Sequence, residues 1–134
     1  MTVSIARAPQ STYEFIREPR NLPQWAPGFA RAVRPSDGKW VVETVDDPVE
    51  IDFVAPNPFG VADHRVTAAP GITVVNAVRV VPNGSGSEVI FTFFQTPDMA
   101  DHEFEAAAAL VENDLQTLKR VLEAIERGSR SPTP

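Results

Sequence analysis

A long amphipathic segment near the C-terminus, from Asp101 to Arg127, constrains the fold of this chain more than any other feature. With a rise of ~1.5 Å per residue, such a helix is about 40 Å long, enough to cross a small domain. Burial of each large apolar side chain contributes roughly 1.5–3 kcal/mol, so the helix must pack against an extensive apolar surface. Polar residues such as Lys119 and Glu123 fall on the opposite face. The apolar residues recur at alternating steps of four and three, which places them on one stripe: Phe104, Ala108, Val111, Leu115, Leu118, Leu122 and Ile125.

The upstream chain predicts an antiparallel sheet that receives this helix. Alternating apolar and polar residues, separated by Pro and Gly breaks, predict seven strands at 2–8, 30–34, 39–45, 49–54, 61–69, 72–81 and 87–95. Two short helices lie between the first and second strands: one begins at Pro9 and is ended by Pro19, and the other is a single turn within Asn21 to Pro27 that Pro27 and Gly28 close. Hairpin-length connections make the sheet antiparallel, and a sheet of this size curls. The fold class is therefore α+β, with one long helix that leaves the concave side of the sheet partly unfilled.

Length and composition place the chain among ordinary globular domains. It has 134 residues, of which 43% are hydrophobic and 22% charged, and this suits one domain over residues 1–127 with a disordered tail at 128–134. The net charge of −6 and the pI of about 4.8 disfavour a nucleic-acid partner, which normally needs a basic patch.

Several other classes of protein are disfavoured by single residue types. The absence of Cys excludes disulfides, thiolate catalysis and Cys-based zinc sites. With two His far apart in the sequence, we expect no metal site, and nothing indicates a cofactor. No segment approaches the ~18–20 apolar residues of a membrane span, and the N-terminus lacks the pattern of a signal peptide. We therefore expect a soluble, cytoplasmic protein that is a monomer or a homodimer.

Several residue runs carry a family resemblance over residues 2–127. They are Tyr13 to Ile16 with Glu18-Pro19, Asn21 to Trp25, Asn57 with Phe59 to His64, Arg79 to Gly84, Ser87 to Thr92 and Val111 to Lys119. In these runs the chain resembles the START and birch-pollen-allergen superfamily (SRPBCC), and within it the polyketide cyclase/dehydrase-like proteins. Glu18 stands where the family usually has Asp.

The resemblance implies a helix-grip fold, in which a curved seven-stranded sheet wraps around the C-terminal helix. It also implies a range of functions. Family members bind lipids, sterols, hormones or polyketide intermediates between sheet and helix; some catalyse cyclisation or dehydration, and others act on protein partners.

Strand parity predicts which side chains face the helix. Trp40, Phe53, Phe91 and Phe93 lie on the inward face together with smaller apolar residues, where they either line a cavity or simply form a core. Four consecutive alanines, 106–109, lie in the N-terminal half of the helix, where they either bring the helix close to the sheet or leave space beneath it, and the curvature of the sheet favours space. We therefore predict a ligand pocket beneath Ala108 and Val111, with Phe53, Phe91 and Phe93 as its walls.

Three further residues are candidate ligand contacts. His64 shares the parity of inward apolar residues, whereas Asp63 points the other way, so His64 either orients a ligand or acts as a general base, or else is a hydrogen-bonded core residue. Asn76 has the parity of the more apolar set of its strand and is placed inside, with Arg79 outside. Trp25 either gates the mouth of the pocket or plugs one end of the core.

Three functions are compatible with these patterns. The first is binding of a small hydrophobic molecule, lipid-like or polyketide-like, beneath the helix. The second is a cofactor-free cyclase or dehydratase that uses His64 for proton transfer in the same cavity. The third is a protein-partner-binding module with a filled core.

Overall fold

The computed structural model describes residues 1–68 and 71–129. Its elements follow in the order β1 (Thr2–Ile5), α1 (Pro9–Arg17), a 3-10 turn (Pro19–Asn21), α2 (Leu22–Trp25), β2 (Ala32–Ser36), β3 (Lys39–Glu43), β4 (Val49–Phe53), β5 (His64–Ala68), β6 (Ile72–Asn83), β7 (Gly86–Thr92) and α3 (Asp101–Ser129). The strands form one seven-stranded sheet in the order β1-β7-β6-β5-β4-β3-β2, with antiparallel neighbours throughout. The predicted α+β helix-grip architecture is confirmed.

The C-terminal half of α3 closes the hydrophobic core. Leu115, Leu118 and Leu122 are buried there, together with inward residues of the strands such as Val78 and Val89. These three leucines belong to the apolar stripe that the sequence spacing predicts, and their burial is a large favourable contribution to the fold. Ile125, the last residue of the predicted stripe, is instead 38% exposed, beyond the part of α3 that the core covers.

Two charged residues of α3 also attach it to β1 and to Ala6, the residue that follows β1. Lys119 Nζ donates a hydrogen bond to the carbonyl of Ser4 (2.7 Å) and forms an ion pair with Glu123 (2.8 Å). Glu123 accepts a hydrogen bond from the backbone N–H of Ala6 (3.0 Å). The helical periodicity places both residues on the polar face of α3. They are nevertheless in contact with the sheet, because β1 is its edge strand and lies beside this face.

Each of the seven predicted strands is found, but its boundaries differ from the prediction by one to three residues at one end or both, as at β1, which ends at Ile5 and not at Ala8. Val61 forms only an isolated bridge with Arg79, and β5 begins at His64, because the Asn57 side chain holds the preceding loop through hydrogen bonds to the backbone of Phe59 and Val61. The predicted five-residue turn at 82–86 is shorter in the structure.

In that hairpin, β6 continues to Asn83, which pairs with Gly86, so that only Gly84 and Ser85 form the turn. Gly84 has a φ of 60°, in the left-handed region that favours glycine. The predicted turn at 70–71 begins outside the described residues. Helix α3 runs to Ser129, two residues beyond its predicted end, and the remainder of the predicted tail, 130–134, lies outside them as well.

Candidate functional site

A cavity of about 210 Å³ lies where α2 and the loop that follows it meet the inner face of the sheet and the N-terminal half of α3. Its volume is below the roughly 300–1,000 Å³ that is usual for drug-sized ligands, so it suits a small molecule. Gly28 on the loop is exposed and Leu110 on α3 is 52% exposed, which places the mouth between these two residues. The lining consists of Leu22, Trp25, Ala26, Gly28, Phe29, His64, Asn76, Phe91, Phe93, Ala107, Leu110, Val111, Asp114 and Leu115.

The sheet contributes the pair of polar side chains His64 and Asn76, which lie directly opposite each other on β5 and β6. His64 is 6% exposed, and its Nδ1 lies 3.1 Å from the carbonyl oxygen of Ala62. Because that oxygen can only accept, Nδ1 carries the proton and Nε2 keeps its lone pair. Asn76 Nδ2 faces this Nε2 at 3.4 Å, a long contact. Burial lowers the pKa of His64, so the imidazole is neutral at pH 7.

Asp63 lies on the opposite face of the strand from His64. Its carboxylate accepts hydrogen bonds from Arg79 Nη2 (2.8 Å) and Nε (3.0 Å) and from the backbone N–H of Val78 (2.9 Å). The hydrogen bonds from the Arg79 guanidinium hold the pKa of Asp63 below its usual range. The predicted orientation therefore agrees with the structure: Asn76 borders the cavity and Arg79 lies outside it, paired with Asp63.

Asp114 on α3 is the polar lining residue that the sequence reasoning missed. It is 7% exposed, and its Oδ1 accepts a hydrogen bond of 3.3 Å from the backbone N–H of Gly28. Among the described residues nothing donates a hydrogen bond to its Oδ2. Desolvation raises the pKa of Asp114 to about 6, which the bond from Gly28 opposes only in part. A signal was present, since Asp114 follows Val111 by three residues and precedes Leu118 by four, at the flank of the apolar stripe.

Six of the predicted contact residues do border this cavity: Trp25, His64, Asn76, Phe91, Phe93 and Val111. Trp25 is buried and lies on the inner wall rather than at the mouth. Its indole N–H has no hydrogen-bond acceptor within the described part of the chain. Whether these six residues contact a ligand stays a prediction.

Trp40 and Phe53 share the inward parity but lie outside the cavity lining. Trp40 sits near the far edge of the sheet from β1, in a surface groove, with the Arg20 guanidinium 5.6 Å from its ring centre. Phe53 packs against the imidazole of His64, with ring centres 4.7 Å apart, and so supports that residue from the side. Parity specifies a face of the sheet, but it does not specify which part of that face the helix covers.

Ala108 is also outside the lining, because the cavity lies along one flank of the predicted apolar stripe and not beneath its centre. The side of the helix that borders the cavity carries Ala107, Leu110, Val111, Asp114 and Leu115. Two contacts hold this part of α3 in place: the ring of Phe104 stacks on Phe93 at 5.3 Å, and the backbone N–H of Gly28 in the loop donates to Asp114. The space predicted beneath the alanines is therefore bordered by Ala107.

Chemically, the site combines aromatic walls with two groups that can exchange protons, the neutral imidazole of His64 and the carboxyl of Asp114. Residues 1–68 and 71–129 contain no group of three or more side chains that could hold a metal ion. In the same residues, no helix is both long and apolar enough to cross a membrane.

Comparison with known sequences identifies one family. Residues 1–123 match the sequence profile described as polyketide cyclase/dehydrase and lipid transport. Among curated proteins, no sequence matches this chain.

Comparison with solved structures supports the fold. Protein MLL2253 from Mesorhizobium loti superposes with a TM-score of 0.69 at 14% identity, over 92% of this chain and 96% of that one. Ara h 8.0201 superposes with a TM-score of 0.65 at 12% identity, over 92% and 95% of the two chains. DynU16, from the dynemicin biosynthetic locus, gives 0.65 at 19% identity, over 92% of this chain and 46% of DynU16. At these identities the likeness concerns the fold alone.

Proposed function

The chain belongs to the polyketide cyclase/dehydrase and lipid transport family, and on that premise we propose that it binds a small, largely apolar organic molecule in the cavity beside α3. The observation that carries this proposal is the cavity itself, with aromatic and aliphatic walls and a few polar side chains at separate places. This combination is typical of small-molecule sites, in which apolar area provides affinity and a few polar groups fix orientation. Its size favours a single-ring or two-ring molecule over a long lipid chain.

A matched pair of variants tests the proposal. Ala107→Trp places an indole in the cavity, whereas Ala109→Trp places the same indole on the exposed side of α3. With naphthalene as a neutral fluorescent probe, we expect Ala107→Trp to weaken binding by about tenfold or more and Ala109→Trp to leave it unchanged. Equal binding by both variants would contradict the proposal.

Native mass spectrometry of the purified protein complements this test by detecting a molecule that copurifies. We expect an added mass in the wild type that is lost in Ala107→Trp. If no molecule copurifies and naphthalene does not bind, the alternative of a partner-binding module is favoured instead.

A second candidate function, a cyclase or dehydratase, is favoured by the state of His64. Its Nε2 is unprotonated and borders the cavity, where it could remove a proton from a methylene between two carbonyls. The resulting carbanion would attack a second carbonyl carbon of the same molecule and form a ring. The new alkoxide would take back the proton, and loss of water could follow.

His64→Gln separates catalysis from binding. With a linear poly-β-keto thioester as substrate, we expect the variant to lower turnover about 100-fold and to keep naphthalene affinity within about threefold of the wild type. Turnover that is equal in the two proteins would leave His64 with a structural role only.

A further inference from the structure

We propose that the ligand carries a protonated amine, and that the carboxylate of Asp114 and the aromatic walls of the cavity together recognise it. This inference rests on the proposed binding function and names the chemical class of the ligand. It assigns Asp114 to binding, a role that neither the sequence pattern nor the family description contains.

The first observation is that Asp114 lacks a partner for its charge. It is 7% exposed, and its one hydrogen bond among the described residues is the long contact from the Gly28 N–H to Oδ1. No Lys, Arg or His in the described part of the chain forms an ion pair with it. Since a buried carboxylate is strongly destabilised unless a cation or several donors compensate it, the site favours a ligand that brings a positive charge.

The second observation is that Asp114 shares the cavity with aromatic rings. Trp25, Phe29, Phe91 and Phe93 all border it. The negative face of an aromatic ring attracts cations within ≈ 6 Å of its centre, and aromatic walls are a common means of recognising ammonium groups. Aromatic walls and an unpaired carboxylate favour the same class of ligand for independent physical reasons.

Ligands of other charge fit these observations less well. An anion would be repelled by the ionised Asp114, and a neutral alcohol could supply a hydrogen bond but no charge. The competing explanation is structural, namely that Asp114 only holds the loop at Gly28. Under that explanation, replacement of the carboxylate would affect all ligands alike, which makes the two readings separable by experiment.

Three probes of similar shape and different charge provide the test: 2-phenylethylamine, 2-phenylethanol and 3-phenylpropionate, titrated by calorimetry at pH 7.5. We expect the amine to bind about tenfold or more tightly than the alcohol, in line with the strength of a charge-assisted hydrogen bond, and the carboxylate to bind most weakly. If the alcohol equals or exceeds the amine, the inference is wrong.

Asp114→Asn keeps the shape and removes the charge. We expect it to lower amine affinity to within about threefold of alcohol affinity, while alcohol affinity stays close to that of the wild type. Glu112→Gln removes a carboxylate from the exposed side of the same helix and is the matched control, in which amine affinity should be unchanged. Amine affinity unaltered in Asp114→Asn would overturn the inference.

The pH dependence provides a second measurement. Protonation of Asp114 competes with the amine, so affinity in the wild type should fall about tenfold between pH 7.5 and pH 5. The other titratable side chain that borders the cavity is His64, and its protonation at low pH would also repel a cation. The dependence that remains in Asp114→Asn therefore belongs to His64, and an undiminished dependence there would contradict the role of Asp114.

Failure of the inference and failure of the proposed function give different results. If naphthalene binds and Ala107→Trp blocks it, but the amine shows no preference, the cavity binds ligands and only the ligand class is wrong. If naphthalene and all three charged or neutral probes fail to bind, the binding function itself is contradicted.

Discussion

The two halves of α3 differ in what they pack against, although they belong to one uninterrupted helix. In the C-terminal half, Leu118 and Leu122 are fully buried in the core. In the N-terminal half, Ala107 and Val111 are half-buried and Leu110 is 52% exposed, because this half borders the cavity instead of the filled core. The difference teaches that one helix can hold the fold at one end and leave space for a ligand at the other.

The loss of core packing is the largest effect that distinguishes the two halves. We expect Leu118→Ala to lower the free energy of unfolding by about 2–5 kcal/mol, because it leaves a cavity in a close-packed region. The same substitution at the exposed Leu110 should cost less than about 1 kcal/mol while changing naphthalene affinity. Urea denaturation of both variants measures the contrast, and equal losses would break the comparison.

Substitution of Asp114 should raise the free energy of unfolding, whereas Leu118→Ala lowers it. Its folded-state pKa of about 6 lies above the ordinary value of 3.8, so the folded protein binds this proton more tightly than the unfolded chain does. The contribution of Asp114 to stability therefore falls as pH rises from about 4 to about 6, and the ionised carboxylate is penalised above that range. We expect Asp114→Asn to raise the free energy of unfolding by about 1–3 kcal/mol at pH 7.5.

This gain should shrink as pH falls through about 6 and vanish near pH ~3, where Asp114 is protonated in both the folded and the unfolded state. Urea denaturation at several pH values measures it. Glu112→Gln serves as the control for net charge, with a change within about 0.5 kcal/mol at every pH. A gain in Asp114→Asn that did not depend on pH would point to packing rather than charge.

The contacts that attach the C-terminal half of α3 to β1 should contribute less to the free energy of unfolding than the packing of Leu118 or the charge of Asp114. Lys119→Met removes the hydrogen bond to the Ser4 carbonyl and the ion pair with Glu123, and we expect a loss of about 0.5–1.5 kcal/mol since these groups are partly exposed. Naphthalene affinity should not change. Lys39→Met, which breaks the exposed pair with Glu50 (3.6 Å), is the control with a smaller expected loss, and the reverse order would contradict a role for Lys119 in holding the helix.

The smallest effect on stability is expected at the mouth of the cavity. In Gly28→Ala the added Cβ would lie 3.3 Å from Asp114 Oδ1 and 3.5 Å from Leu110 Cδ2. We expect stability to change by less than about 1 kcal/mol and the association rate of naphthalene, measured by stopped-flow fluorescence, to fall several-fold. An association rate equal to that of the wild type would show that ligands enter elsewhere.

Local patterns in the sequence predicted the elements and much of one wall of the site. The period of α3 predicted that Leu115, Leu118 and Leu122 would be buried, and strand parity placed His64 and Asn76 on the inner face. Such patterns succeed because side-chain direction along a regular strand or helix depends only on position within that element.

Strand parity did not predict which residues line the cavity where this depended on the element packed against the sheet. Trp40 and Phe53 occupy the correct face but border a groove and His64 respectively, since α3 covers only part of the sheet. Ala107 borders the cavity in place of Ala108 because the cavity lies at the flank of the predicted stripe, where the loop after α2 meets α3.

The sequence by itself determined the α+β architecture, the long amphipathic helix and the inward face of each strand, because these follow from local periodicity. Only the tertiary structure decided that the loop containing Gly28 meets α3 beside Asp114, and so that a carboxylate at the flank of an apolar stripe becomes buried. The physical reason is that desolvation depends on every element that packs around a group. A charged residue gains an altered pKa only once those elements have assembled.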